Sequence, residues 1–364
     1  MAVSASAPEV LVWVDKPRLG LARRLLDLMG SSVSPVGIGG PPGAVRLPAV
    51  AAGSADGESA PASSDEAHAP TVSLEAGEGD DEQLHKLAED LGCARGDDLR
   101  QMLVERPAAY LLLLTMDGVE RAVVSEAVAE GTTVLGSEPL DDELQPPAGG
   151  GPDALIFLPA FDDAPGWTSA ADPLDVVGVP RLLRFSGYGT RPGTSLYALL
   201  YDAWRMIVGV AGLPETVDAS LTGAELAVPD DLRTMTGHMA VHARLESMRG
   251  RCAAMIDVSD HAGCERRELS VIGDAAHLVV DERRYVLYDA AHQVIDSSEE
   301  QGGAMSSIDL IAAQWRRLLS RHPDSRSAGV DESGLIACCQ ASLLSARTGA
   351  SEDPDGLLRA HGRV

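Results

Sequence analysis

The sequence predicts a protein of two domains, an α/β half with a parallel sheet followed by a half with an open, mostly antiparallel sheet. The chain has 364 residues, more than the roughly 250 to 300 at which single cores stop growing. Strand-like and helical runs alternate from residue 9 to residue 140, which is typical of a parallel sheet with helices on both faces. Six strand-like runs then follow one another between residues 216 and 290, an order that suits antiparallel pairing.

The first half begins with a strand, a turn and a helix. Residues 9–14, EVLVWV, form a short apolar run, and residues 21–29, LARRLLDLM, place leucines at helical spacing. The run AYLLLLT at 109–115 predicts a buried strand of the parallel type. This order predicts a Rossmann-like dinucleotide-fold domain over residues 1–145.

One stretch of the first half departs from this pattern. Residues 31–81 lose all periodicity and are rich in Gly, Pro, Ala, Ser and acidic residues. Few apolar side chains there offset the entropy of ordering the chain. We therefore expect a flexible insertion between the first helix and the helical run DEQLHKLAEDLG.

The second half follows a linker rich in glycine and proline at 145–153, and we assign it to residues 150–364. Residues 194–212 predict a long amphipathic helix that ends at a glycine. The six strand-like runs come next, separated by turn residues. Helical segments at 306–320 and 332–349 complete an α+β domain with helices on one face of its sheet.

Composition excludes several classes of partner and site. The net charge is −26 and no basic stripe offsets it, so nucleic acid and anionic membranes are not expected partners of this acidic protein. No apolar run reaches the ~18 residues of a membrane helix, and no cationic start precedes an apolar leader. The five cysteines lack disulfide or metal-ligand spacing, so we expect no metal site and a cytoplasmic location.

Four stretches, in order along the chain, resemble the glucose-fructose oxidoreductase, inositol dehydrogenase and MocA (Gfo/Idh/MocA) family. They are PAAYLLLLTMDGVERAVVSEAVAEGTTVLGSEPL, YDAWRMIVGVAGLPETVDAS, LSVIGDAAHLVVD and LLSARTGASEDP. The resemblance covers most of the chain outside residues 31–81. It implies the family's two-domain fold, NAD or NADP as cofactor, and oxidation of CH–OH groups in a sugar or polyol.

The cofactor positions that the resemblance implies are changed in this sequence. The family's GxGxxG loop brings the backbone close to a pyrophosphate at a helix N-terminus. The corresponding residues here are Asp15, Pro17 and Gly20, with Thr115 at the end of a later strand. Pro17 removes an amide donor, Asp15 places a carboxylate where the diphosphate would lie, and Gly20 is left to helix–strand packing. The stretch VSPVGIGG offers no acid for the ribose hydroxyls, and its glycines are expected in a flexible turn.

The catalytic positions that the resemblance implies are changed as well. Aligning Pro139 with the proline of the family's Glu-Lys-Pro loop places Glu138 at the catalytic lysine. Asp202 matches the family's helical aspartate, which places Ser195 at a second aspartate and Leu199 at the catalytic histidine. Leucine cannot transfer a proton. Lysine, aspartate and histidine are therefore absent together.

Several polar side chains surround the helix that would line the family's substrate pocket. Tyr188, Arg191, Tyr197, Tyr201 and Asp202 could contact a sugar or polyol through polar groups. The alternative is that the tyrosines close the interface between the domains.

The second sheet is expected to join subunits of a homo-oligomer. His238 and His242 lie four residues apart on one predicted strand, so they share a face that we interpret as a polar surface rather than a metal site. Apolar residues alternate with such polar ones and would leave an exposed patch in a monomer. The residues expected to be buried between subunits are Met239, Val241, Leu245, Ala254, Ile256 and Val258.

The sequence leads to two functional hypotheses. The first is a pseudoenzyme of the oxidoreductase family, a non-catalytic binding or assembly subunit, because the cofactor loop and the proton-transfer residues are changed together. The second is an active NAD(P)-dependent sugar or polyol oxidoreductase that binds its cofactor in an altered way and uses a tyrosine for proton transfer.

Overall fold

The fold is that of a computed structural model, which describes residues 6–41, 78–139, 155–191, 193–223, 227–247, 250–299, 306–320 and 332–360. Within these residues the chain forms a sheet of six strands and a separate sheet of eight. The predicted fold class, a parallel α/β half followed by a mostly antiparallel α+β half, is confirmed.

The first sheet is parallel throughout. Its strands are β1 (Glu9–Trp13), β2 (Ser34–Gly39), β3 (Ala94–Gly96), β4 (Tyr110–Leu113), β5 (Thr133–Gly136) and β6 (Leu155–Phe157). Their spatial order is β3-β2-β1-β4-β5-β6. The order reverses between β1 and β4, which is where doubly wound sheets form a ligand-binding crevice.

Ten α-helices accompany the two sheets in the described part of the chain. They are α1 (Leu19–Met29), α2 (Glu78–Leu91), α3 (Leu99–Glu105), α4 (Arg121–Ala129), α5 (Pro165–Ser169), α6 (Ala171–Val176), α7 (Leu196–Ala211), α8 (Ser307–Ser320), α9 (Glu332–Thr348) and α10 (Pro354–Ala360). Val10 and Val12 of β1 share one core with α1 and α2, whereas Leu11 and Trp13 share another with α3 and α4. Both faces of β1 are therefore covered, which explains its continuous apolar sequence.

The second sheet contains all six predicted strands and two more. Its strands are β7 (Pro180–Thr190), β8 (Thr216–Thr222), β9 (His238–Ser247), β10 (Gly250–Ser259), β11 (His261–Gly273), β12 (His277–Asp281), β13 (Tyr285–Tyr288) and β14 (Val294–Ser297). Their order is β14-β13-β12-β11-β7-β10-β9-β8, and every neighbouring pair is antiparallel except β7 with β10. The unpredicted β7 therefore lies in the middle of the sheet.

Helices α7 and α9 cover one face of the second sheet. The six residues that we expected between subunits lie in this core and are at most 2% exposed. That expectation was wrong, because the helices of the same chain already cover these side chains. Met255 and Ile272, which are 36% and 38% exposed, lie on the opposite face of the sheet.

Strand β2 corrects our expectation that residues 31–81 are irregular throughout. A Cβ atom on Gly39 would lie 2.6 Å from the carbonyl oxygen of Gly96, so glycine allows β2 and β3 to approach closely. The glycines of VSPVGIGG therefore belong to a strand and its end rather than to a flexible turn. Residues 78–81 of the expected insertion already belong to helix α2, and residues 42–77 lie outside the described residues.

Near its end the chain returns to the first domain. Helix α8 packs on α1, where Trp315 is fully buried with its ring 6.3 Å from that of Tyr110. Arg316 donates a hydrogen bond to the carbonyl oxygen of Leu28. Two elements of residues 150–364, β6 and α8, therefore pack with the first sheet. No helix among the described residues is both long enough and apolar enough to span a membrane.

Candidate functional site

The candidate site lies where the loops after β1, β4 and β5 meet the second domain. These loops carry Asp15, Thr115 and Glu138 respectively. They come together because parallel strands present their carboxyl ends at one edge of the sheet. The second domain contributes Ser195, which caps the N-terminus of α7, and Arg233 from a short 3₁₀ turn.

Asp15 fills the N-terminal end of the first helical segment. Its Oδ1 accepts a hydrogen bond from the backbone N–H of Arg18 at 3.2 Å, and its Oδ2 lies 2.6 Å from the Arg18 Nη1. Burial raises the pKa of Asp15, while the charge of Arg18 opposes this shift. Pro17 supplies no N–H at this turn. The protein's own carboxylate therefore takes the hydrogen bond that an external anion would need.

Arg18 contacts Glu138 as well as Asp15. Its Nη2 lies 3.5 Å from the Glu138 Oε1, across 120 residues of sequence. Burial raises the pKa of Glu138, against the opposing effects of the Arg18 charge, a hydrogen bond from Ser195 and the charge of Arg233. Ser195 also accepts a hydrogen bond from the backbone N–H of Ala198 at 3.1 Å. Arg18 and Ser195 thus hold Glu138 from opposite domains.

Thr115 and Gly20 complete the cofactor-loop residues of the sequence analysis. Thr115 is buried, forms a side-chain hydrogen bond with Asp15, and accepts one from the backbone N–H of Asp117 at 3.2 Å. A Cβ atom on Gly20 would meet nothing within 4 Å. The expectation that Gly20 is needed for close helix–strand packing was therefore wrong.

The cavity directly beside Arg18 and Ser137 is too small for a dinucleotide. The cavity lined by Arg18, Ser137, Thr194 and Arg267 has a volume of about 10 Å³, close to the minimum that one water molecule needs. Strand β2 leads into Gly40 and Pro41, so the described residues directly after β2 offer no carboxylate for the ribose hydroxyls of a cofactor. Together with the hydrogen bond from Arg18 to Asp15, these features do not match what NAD or NADP requires.

The residues expected at a substrate pocket are not brought together. Tyr197, Leu199, Tyr201 and Asp202 are at most 3% exposed and belong to the core or its buried polar centre. All four lie within residues 196–204 of α7, which are buried on every side of the helix, and the ring of Tyr201 lies 5.3 Å from that of Phe157 in β6. The expectation that Tyr197, Tyr201 and Asp202 face a ligand was wrong.

Tyr188 and Arg191 lie at the end of β7. The hydroxyl of Tyr188 donates to the Asp257 Oδ2 at 3.1 Å, and His238 Nε2 lies 3.1 Å from the Oδ1 of the same carboxylate. Arg191 Nε donates to the buried carboxylate of Asp260 at 2.6 Å.

The described residues contain no cluster of three or more histidine, cysteine or acidic side chains that could hold a metal ion.

Sequence reasoning missed the two arginines of the site. Arg18 follows an acid and a proline at the start of a helix, a pattern that could have indicated its pairing with Asp15. Arg233 lies in the segment DDLRT, which carries no periodic signal. Its position near Glu138 depends on the packing of the two domains.

The overall fold of the chain is similar to that of several solved protein structures. No protein-family model matches the sequence, and no curated protein is significantly similar to it. Solved structures are similar over nearly the whole chain. An oxidoreductase from Agrobacterium radiobacter in complex with NAD+, L-tartaric acid and magnesium is 13% identical, with 97% of this chain and 100% of that chain covered and a TM-score of 0.60.

Two further structures show how varied the proteins of this fold are. UDP-N-acetylglucosamine 3-dehydrogenase GnnA from Acidithiobacillus ferrooxidans is 15% identical, with 93% of this chain and 98% of that chain covered and a TM-score of 0.60. Biliverdin reductase from Synechocystis, in complex with biliverdin and NADP+, is 14% identical, with 94% and 98% covered and a TM-score of 0.59. The chain therefore has the two-domain fold of these oxidoreductases, and the fold alone does not identify a substrate.

Proposed function

We propose that this chain, which has the fold of the Gfo/Idh/MocA oxidoreductases, is a non-catalytic member of that family that serves as a binding or assembly subunit. The observation that carries the proposal is the connected set Asp15–Arg18–Glu138. It occupies the positions that the family resemblance assigns to the pyrophosphate loop and the catalytic lysine. Leu199 is also buried where the family has its proton-transfer histidine.

The test of this proposal is dinucleotide binding. Calorimetric titration of the purified protein with NADH and with NADPH should show no saturable binding at micromolar concentrations. A double variant, Asp15→Gly with Pro17→Gly, frees the helix N-terminus and serves as the comparison. Micromolar binding by the unaltered chain would refute the proposal.

The second candidate is an active sugar or polyol oxidoreductase with altered cofactor binding. Its support is the fold, which it shares with proteins solved in complex with NAD+ or NADP+. Burial of Tyr197 and Tyr201 argues against these two as proton donors. Turnover of sugars, inositols or their keto forms, followed through nicotinamide absorbance and compared with heat-inactivated protein, distinguishes this candidate from the first.

We also propose that the open face of the second sheet joins two copies of the chain. Met255 and Ile272 are exposed there, with Arg184 and His242 in the same cross-strand row as Met255. Met255→Glu should convert a dimer to a monomer in light scattering, because a charge would be buried at the interface. Val104→Glu, at a residue 73% exposed on α3 of the first domain, is the matched control. A monomeric unaltered chain would contradict this part of the proposal.

A further inference from the structure

We infer that Glu138 is an internal ligand, an autoinhibitory side chain that keeps the cleft between the domains closed, and that a small carboxylate can replace it. The inference rests on the proposed function, since it gives the cleft an occupant other than a dinucleotide. It goes further by naming the chemical class of molecule that the cleft accepts.

The groups around Glu138 come from both domains and suit a carboxylate. Arg18 of the first domain lies 3.5 Å from Oε1, and Ser195 of the second domain donates a hydrogen bond. The positive charge of Arg233 acts on the same carboxyl group. Ser195 caps the 16-residue helix α7, whose N-terminus adds a favourable positive potential. Arg18 is thus the cation in direct contact with this carboxylate, and the charge of Arg233 and the hydroxyl of Ser195 also favour its ionised form.

Burial of the Glu138 carboxylate is energetically unfavourable. Glu138 is 9% exposed, its carboxylate has been removed from water, and the negative charge of Asp117 also disfavours its ionised form. A ligand carboxylate could form the same hydrogen bonds while Glu138 returned to solvent. Because the adjoining cavity holds about 10 Å³, a ligand must exchange with Glu138 rather than bind beside it.

The experiment deletes the Glu138 carboxylate and supplies acetate in its place. Glu138→Ala removes a CH₂–COO⁻ group, for which acetate is the free counterpart. Thermal unfolding is measured at pH 7 in sodium acetate and in sodium chloride of equal ionic strength. We expect acetate to raise the unfolding midpoint of Glu138→Ala by about 2 to 4 °C. The unaltered chain, in which acetate must first displace Glu138, should shift by less than Glu138→Ala, and the exposed-site control Glu130→Ala should behave like the unaltered chain.

Two further variants test whether the acetate response needs Arg18 and provide a substitute for the alanine variant. Adding Arg18→Gln to Glu138→Ala should abolish the acetate response, since the cation from the first domain is then missing. Glu138→Gln preserves the side-chain shape if the alanine variant fails to fold, and should bind acetate at least tenfold more tightly than the unaltered chain in calorimetry. Equal behaviour of the Glu138 variants in acetate and chloride would overturn the inference. No nicotinamide is present, so this outcome is independent of the dinucleotide titration.

Discussion

Glu138 and Asp202 are both buried carboxylates paired with arginine, but they lie in different surroundings. Glu138 joins two domains, and its partner Arg18 is shared with Asp15 at a distance of 2.6 Å. Asp202 lies inside the second domain, accepts a hydrogen bond from the backbone N–H of Phe161 at 2.9 Å, and lies 3.4 Å from Arg267. Burial alone therefore does not distinguish a carboxylate at a site from one that holds a core together. The two sites differ in that the arginine beside Glu138 also forms an ion pair with a second carboxylate, Asp15.

The largest expected effect is on stability at Asp202. Asp202→Ala would leave Arg267, a residue only 4% exposed, without this carboxylate, and the Phe161 N–H without its acceptor. Removing one partner of a buried ion pair costs about 3 to 5 kcal/mol in the free energy of unfolding. Urea denaturation at pH 7 measures this loss. Asp175→Ala, at an exposed aspartate, should change the value by less than about 0.5 kcal/mol.

The second prediction is that the free energy of unfolding depends on pH differently in the unaltered chain and in Asp202→Asn. Burial raises the pKa of Asp202 from 3.8 to about 6, against the opposing charge of Arg267. The folded protein then holds this proton more tightly than the unfolded chain. The contribution to stability is therefore complete below pH 4 and falls as pH rises through 6. Relative to Asp202→Asn, the unaltered chain should lose roughly 2 to 3 kcal/mol over this range. Parallel pH curves for the two proteins would contradict the assignment.

The smallest effect is expected at Glu138. Glu138→Gln removes a charge whose burial is costly, and Arg18 keeps its ion pair with Asp15. The free energy of unfolding should therefore change by about 1 kcal/mol or less. Denaturation of Glu138→Gln beside Glu130→Gln checks this value. A loss as large as that of Asp202→Ala would remove the distinction between the two carboxylates.

The fold could be predicted where strands show a clear pattern. The six predicted strands of the second sheet have alternating apolar residues or continuous apolar runs, and all six are present. Strand β7 was missed because PRLLRFSGYGT combines arginines with two glycines, and β2 because SPVGIG combines proline with glycines. Strands β3 and β6 have three residues each, too few for a period to be recognised.

The candidate site could be predicted only in part. Asp15 and Glu138 were identified through a family motif whose residues they replace. The bridge between them, Arg18, is close to Asp15 in sequence but 120 residues from Glu138. Tyr197 and Tyr201 were misplaced, because spacing along a helix does not show that residues 196–204 of α7 are buried on every side. Long-range pairings of this kind depend on domain packing, which local patterns do not encode.

Helix α8 has a consequence for how the protein is made. Trp315 and its neighbours Ile311 and Ala312 fill a groove against α1, so the hydrophobic core of the first domain includes residues that are synthesised some 300 positions after β1. A ribosome releases the chain from its N-terminus, and domains generally fold in that order. Here the first domain stays incomplete until residue 320 has emerged. The earliest part of the chain is thus among the last to be fully packed, and until then it presents an apolar surface to the chaperones that meet nascent proteins.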